Sequence, residues 1–149
     1  MEDSYVTQIK ISTGEERHFK ILDTAGEDDY QTMIDEWIKV ADGFLLLFAI
    51  NDKESFEALK AKIIRIKKNN KDKSPIVLVG NKCDLESKRE VDKQVAIDYA
   101  KSIGAKYYET SALTDENKNC KVVFQQCAHM IIAKFNSESN GGACPCSIY

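Results

Sequence analysis

The sequence predicts an α/β fold: a mostly parallel sheet with one antiparallel edge strand. Two unbroken apolar runs, residues 43–50 and 76–80, suit strands covered on both faces of such a sheet. Apolar residues recur at helical spacing between and after them, so helices alternate with strands. Ahead of both runs, two segments separated by turn residues read as a hairpin, which supplies the antiparallel edge.

Taken in order, Tyr5-Val6-Thr7-Gln8-Ile9-Lys10-Ile11 alternates, as a strand with one wet face does. Ser12-Thr13-Gly14-Glu15 is turn chemistry, and residues 17–22 return as the second strand. A polar, acidic loop follows from Asp23 to Asp29. Tyr30, Met33, Ile34, Trp37, Ile38 and Ala41 then mark a helix. After the first apolar run, Phe56, Leu59, Ile63 and Ile66 mark another, with Asp52 as its cap. The charges on its outer side, Lys60, Lys62, Arg65, Lys67 and Lys68, read as a solvated face. Val95, Ala96, Tyr99, Ala100 and Ile103 define a third helix, stopped by Gly104. Lys106-Tyr107-Tyr108-Glu109-Thr110 is a short strand. Phe124, Cys127, Ala128, Ile131 and Phe135 mark the last helix. One domain is expected over residues 1–135, with a flexible Ser-, Asn- and Gly-rich tail over 136–149.

A chain of 149 residues is one domain by size. A net charge of −3 gives no reason to expect nucleic acid as a partner. No apolar stretch approaches the ~18 residues that would cross a bilayer, and the first residues are not a signal peptide. The five cysteines are odd in number and mostly within predicted elements, which argues for a reducing compartment rather than a disulfide framework. Cys120 and Cys127 read as core filler.

The chemistry gathers after the second apolar run, at Asn81-Lys82-Cys83-Asp84. Open α/β sheets place their ligands at the carboxyl ends of strands. The Asp84 carboxylate can accept two N–H bonds, the number that guanine offers on its N1 and 2-amino edge. Adenine lacks that pair and would leave a desolvated acid unpaired. Asn81 can both donate and accept, and the Lys82 stem is long enough to lie over a base. By itself this four-residue pattern is equally a polar turn at a strand end.

Three motifs together are specific. Asp23-Thr24-Ala25-Gly26, Asn81-Lys82-Cys83-Asp84 and Glu109-Thr110-Ser111-Ala112 each follow a strand, and in this order they resemble the nucleotide motifs of Ras small GTPases. Glu2-Asp3-Ser4-Tyr5 resembles the end of the Ras effector loop, and Gly43-Phe44 with Phe48-Ala49-Ile50 is also similar to Ras. The likeness runs from Glu2 to about Phe135. It implies a Ras-like GTPase fold, binding of GTP and GDP with Mg²⁺, and hydrolysis of GTP. It also implies effector proteins and exchange and activating factors as partners.

By this resemblance, Asn81, Lys82 and Asp84 hold guanine, with Ser111 and Ala112 beside it and the Ala112 N–H on the guanine carbonyl. Asp23 holds Mg²⁺ through a water, and the Gly26 N–H meets the γ-phosphate. Glu2, Asp3, Ser4 and Tyr5 meet effectors. Glu27 stands where the family has its water-positioning Gln. Ionised Glu is acceptor-only, so it either takes a proton from water or repels the γ-phosphate. Leu113 replaces a family Lys, and Ile34 a family Arg.

None of the seven glycines is followed by Lys, so the phosphate-loop pattern G-x-x-x-x-G-K-[ST] does not occur in these residues. Relative to the family, the first strand, phosphate loop and first helix are expected to be missing. An incomplete gene product or gene model is the expected reason. In the family that strand lies mid-sheet, between the strands of residues 17–22 and 43–50. Without it those two strands are expected to face each other across a gap or to pair directly, and the isolated chain to be insoluble or molten. Cys146-Ser147-Ile148-Tyr149 fits C-a-a-X, with Cys144 as a possible second acylation site. One prenyl chain alone holds weakly, so two signals are expected, at the cytoplasmic face of a membrane and foremost the plasma membrane; otherwise the chain is expected in the cytoplasm. Two function classes follow: a Ras-type GTPase switch, or a nucleotide-independent, membrane-tethered interaction module.

Overall fold

The computed structural model describes residues 2–10, 14, 16–24, 31–70, 73–113, 118–138 and 146–148. They form strands β1 (Glu2–Lys10) and β2 (Glu16–Thr24), helix α1 (Gln31–Val40), strand β3 (Phe44–Ala49) and helix α2 (Lys53–Asn69). Strand β4 (Ile76–Asn81), a 3₁₀ segment (Cys83–Lys88), helix α3 (Lys93–Ile103), strand β5 (Lys106–Glu109), helix α4 (Lys118–Glu138) and strand β6 (Cys146–Ile148) complete the order. This is the alternating α/β architecture that the sequence predicts. The chain divides into two compact units, one of residues 1–44, 66–75 and 125–149 and one of residues 45–65 and 76–124.

In the first unit β1 and β2 form the expected antiparallel hairpin, in register from Glu2 opposite Thr24 to Lys10 opposite Glu16. Along β2, Phe19 and Leu22 are buried and Lys20 and Asp23 exposed. Of the residues expected to bury a face of α1, Ile38 and Ala41 are buried and Ile34 and Trp37 half-buried; Tyr30 lies outside the described residues. The carboxyl end of α1 is closed by side chains, since its last carbonyls lack intrahelical donors. Asn70 Nδ2 donates to the Ile38 carbonyl at 3.3 Å, and Ser74 Oγ donates to the Ala41 carbonyl at 2.7 Å. The Asn70 Oδ1 accepts from the Ser74 N–H at 3.0 Å, so both buried polar residues are satisfied.

Packing in this unit is tight at Gly43. A Cβ there would stand 2.7 Å from Ile131 Cδ1 and 3.3 Å from Cys127 Sγ, both on wholly buried side chains. Cys127 is core filler, as expected, and burial pushes its thiol up to about 12. Gly43→Ala is therefore expected to lower stability by ~1–3 kcal/mol through overpacking. A urea midpoint equal to the parent's would refute this.

In the second unit the strand order is β3-β4-β5, with β4 and β5 parallel. Phe48, Ile50, Phe56, Leu59, Ile63, Leu78, Val91, Ala96 and Ala100 pack as one core. Residues 76–80 are buried throughout, as the unbroken apolar run requires. Helix α2 starts where Asp52 Oδ1 accepts the Ser55 N–H at 3.0 Å, and α3 ends on Gly104 at φ 73°.

Three expectations are corrected. First, β3 is not covered on both faces. Leu47 is 54% exposed, so the face of β3 that it stands on is open to solvent among the described residues, and β3 is an end strand of its sheet. Second, of the two arrangements expected for β2 and β3, direct pairing does not occur among the described residues. They lie in two separate three-stranded sheets, of order β1-β2-β6 and β3-β4-β5, and the second edge of β2 holds β6. Third, the tail is not featureless from residue 136. Helix α4 runs on to Glu138, and Cys146–Ile148 pairs in parallel with β2. Its helical spacing weakens at polar Asn136 and Ser137, yet backbone hydrogen bonding continues through them.

Candidate functional site

The parallel register of β4 and β5 sets Gly80 opposite Glu109, so the residues after each strand emerge side by side. Backbone bonds lock the two ends: the Thr110 N–H donates to the Gly80 carbonyl at 2.9 Å and the Cys83 N–H to the Thr110 carbonyl at 3.0 Å. Asn81 Oδ1 accepts from the Lys82 N–H at 2.8 Å and from Thr110 Oγ1 at 3.3 Å. Its oxygen is thus spoken for, and the amide N–H₂ is the part left to meet a ligand. Lys82 adopts φ 61°, a left-handed conformation that costs a non-glycine residue roughly 1–2 kcal/mol. Such strain collects at ligand sites, although Lys73 at φ 51° shows that it is not confined to them.

Beyond the turn, Leu85 N–H bonds back to the Lys82 carbonyl at 2.9 Å and opens the 3₁₀ segment. Lys82, Asp84 and Ala112 are exposed, while Thr110 and Ser111 are buried. The Ser111 hydroxyl accepts the Leu113 N–H at 3.2 Å, bending the backbone around Ala112. Beside this ledge Ile50 N–H donates to the Asn81 carbonyl at 3.0 Å, and the neighbouring Asn51 Oδ1 is buried without a partner among the described residues. An open cleft of about 720 Å³ in the same unit is lined by Cys83, Tyr107 and Glu109, but by none of Asn81, Lys82, Asp84, Ser111 and Ala112.

Sequence reasoning missed the group that supports it. Arg89 Nη1 donates to Glu109 Oε1 at 3.1 Å and to the Val91 carbonyl at 3.2 Å. The Nε and Nη2 of the same guanidinium grip the Glu86 carboxylate in a bidentate pair. Tyr107 Oη donates to Glu109 Oε1 at 2.8 Å, and Lys93 Nζ lies 3.3 Å from Oε2. Burial pushes the Glu109 carboxyl up, but these bonds outweigh it and hold it below its usual range. Burial raises the Tyr107 phenol, and its bond to Glu109 raises it further. Desolvation, then the nearby Glu109 and Asp84 charges, raise the Cys83 thiol. A Cβ on Gly80 would stand 2.5 Å from Tyr107 Oη, so glycine there makes room for the network directly before Asn81. No spacing rule links Arg89 to Glu109, 20 residues apart; the segment carrying Arg89 is held where the Glu90 and Val91 N–H groups donate to the Ile50 carbonyl.

The remaining sequence-predicted residues that are described belong to the first unit. Asp23 is exposed near the carboxyl end of β2, opposite Asp3 in register. Among the described residues no three metal-ligating side chains cluster. Gly26 and Glu27 lie outside the described residues, as does Cys144. Glu2, Asp3, Ser4 and Tyr5 lie on β1, where Ser4 and Tyr5 are exposed. Cys146 begins β6.

Comparison with known proteins bears on both units. Residues 1–133 match the sequence profile of the Ras family. "Protein ras-1" of Neurospora crassa is 42% identical over 120 residues, covering 78% of this chain and 55% of that protein. "Ras-like protein rasB" of Dictyostelium discoideum is 44% identical over 115 residues, covering 75% of this chain and 57% of that protein. The chain thus spans little more than half the length of the curated relatives it matches.

Proposed function

The chain belongs to the Ras family, and from that premise we propose that it acts as a small GTPase, a guanine-nucleotide-dependent signalling switch. The observation that supports this most is the pairing of the Asn81–Asp84 turn with the Thr110–Ala112 turn at adjacent ends of parallel strands. Asp84 accepts the N1 and 2-amino N–H groups of guanine. The Asn81 amide donates to an acceptor on the base's other edge, where guanine presents N7 and O6. The Lys82 stem covers one base face, and Ser111 bends the chain so that the Ala112 N–H faces the guanine carbonyl. Asp23 holds Mg²⁺ through a water, and the ion, when bound, neutralises charge on the phosphates. The Gly26 N–H meets the terminal phosphate, and Glu27 replaces the family Gln beside the attacking water.

Effectors dock on Glu2, Asp3, Ser4 and Tyr5 in the GTP form, and exchange and activating factors set the balance of forms. Lipid on Cys146, with Cys144 as the second signal, holds the protein at the cytoplasmic face of a membrane. The test is base choice: the ledge is expected to prefer guanosine over adenosine, and equal binding of the two would overturn the reading. As a 149-residue polypeptide without a G-x-x-x-x-G-K-[ST] pattern, the chain is expected to bind guanosine and GTP with similar, weak affinity. Tight, Mg²⁺-dependent GTP binding by this polypeptide in calorimetry would contradict that expectation.

A further inference from the structure

Strand β5 ends the sheet of its unit on the side away from β3. The mid-sheet strand of the family adjoins the strand of residues 43–50, so it does not reach this edge. The Thr110 N–H and C=O both bond toward the end of β4, to Gly80 and Cys83. Successive residues of a strand turn these groups to opposite sides. Tyr108 therefore faces β4 as Thr110 does, while Tyr107 and Glu109 turn their backbone groups outward, where no described strand pairs with them. The Glu109 carbonyl accepts a long bond there, from Asn119 Nδ2 at 3.4 Å. The open cleft of about 720 Å³ runs along this edge between α3 and α4, since every residue of β5 lines it together with residues of both helices. Lys93, Ile97 and Lys101, spaced to share one face of α3, stand on one side. Val122 and the buried Val123 stand on the other, on α4.

With Lys106, the lining holds three cations against one carboxylate, Glu109, which Arg89, Tyr107 and Lys93 already hold. The Lys101 ammonium stands 3.9 Å from Asp98, an exposed pair that water screens. In a chain of net charge −3 this is a local excess of positive charge. We propose that the outer edge of β5 is a docking site for an extended segment of a partner protein, with acidic and apolar residues in alternation, that adds to the sheet as a strand. A strand laid in this cleft turns alternate side chains toward α3 and toward α4. Its carboxylates then meet Lys93 and Lys101, and its apolar residues meet Val122 and Val123. Main-chain bonds to Tyr107 and Glu109 supply affinity, and the two walls supply choice. Lysine at a strand edge also discourages indiscriminate pairing, so the residues that admit an acidic strand turn away a basic one. The lining includes none of the residues assigned to the base, so this docking stands apart from the GTPase reading.

The test is titration of the full chain with a short peptide of alternating glutamate and valine, read by backbone amide exchange. Without peptide, the Tyr108 amide is expected to be protected and those of Tyr107 and Glu109 to exchange faster. With peptide, Tyr107 and Glu109 are expected to gain several-fold protection while Tyr108 stays as it was. Lys101→Glu, at an exposed position, is expected to weaken the peptide about three- to tenfold. A lysine–valine peptide is expected not to bind. N-methylation of the valines and of the glutamates, in separate peptides, removes N–H groups from opposite edges of an added strand. One of these two peptides should bind like the parent peptide and the other should not. An unprotected Tyr108 amide, no gain of protection with saturating peptide, or equal binding of the two N-methylated peptides would overturn strand addition. Binding of the lysine–valine peptide, or unchanged affinity in Lys101→Glu, would overturn the acidic partner. Protection of Tyr107 and Glu109 that rises with protein concentration in the absence of peptide would give the edge to a second copy of the chain instead.

Discussion

Replacing Arg89 by alanine is expected to destabilise the unit built on β3, β4 and β5 by about 2–4 kcal/mol, near the range for breaking one side of a buried ion pair. Both partners are well covered, with the Arg89 side chain 13% exposed and that of Glu109 14%. The loss falls short of a fully orphaned charge because Tyr107 Oη and Lys93 Nζ still reach Glu109. It also frees the Glu86 carboxylate and so loosens the 3₁₀ segment that begins directly after Lys82. Chemical denaturation would check the magnitude, and a change below about 0.5 kcal/mol, the ordinary surface value, would show the network to be ornamental. Pairing Arg89→Met with Glu109→Gln should cost less than Arg89→Ala, since the charges then left behind, on Glu86 and Lys93, are exposed ones.

The same network sets a pH dependence. The folded-state Glu109 carboxyl is held below its unfolded value, so its stabilisation is full above the unfolded value. It is lost as pH falls through the depressed folded value. Glu109→Gln should therefore flatten the acid limb of the stability curve in that window and leave the part near neutrality parallel to the parent's.

The parts legible in sequence are those that local pattern dictates. The buried run at 76–80, the helix stop at Gly104 and the cap at Asp52 need no knowledge of neighbours, and each stands where the sequence places it. The Asn81–Asp84 turn is legible for the same reason, because a polar cluster ending an unbroken apolar strand has nowhere to go but the strand's end. What was not legible depends on strand order. Residue Leu47 reads like any core leucine, and only the fold shows its face of β3 open to solvent among the described residues. The Asn81–Thr110 bond needs the register of β4 against β5, and the Arg89–Glu109 pair needs the long-range anchoring of residues 90 and 91 on Ile50. The segment Cys146–Ile148 is too short to carry a periodicity, so only its partner strand defines it.

Asp84→Asn is expected to remove most of the preference for guanine over adenine. The wild-type carboxylate accepts two N–H groups, and hydrogen bonds to a charged group contribute about 1.5–3 kcal/mol each. An amide keeps one carbonyl oxygen and turns the other acceptor into a donor, which then confronts the guanine 2-amino group. One bond is lost and a donor–donor clash replaces it, so guanine affinity should fall by roughly ten- to a hundredfold, at ~1.4 kcal/mol per factor of ten. Adenine should gain, because the asparagine N–H₂ can donate to a ring nitrogen where guanine carries a hydrogen. Asp84 is exposed, so the substitution leaves the core of β4 untouched and the urea midpoint should stay within about 0.5 kcal/mol of the parent's. A competition assay between guanosine and inosine sharpens the assignment, because inosine lacks only the 2-amino group. If Asp84 accepts from that group, inosine should bind the wild type more weakly than guanosine and lose that disadvantage in Asp84→Asn. An unchanged guanosine-to-inosine ratio would take Asp84 out of the base site and leave the Asn81–Asp84 turn as strand-end structure alone.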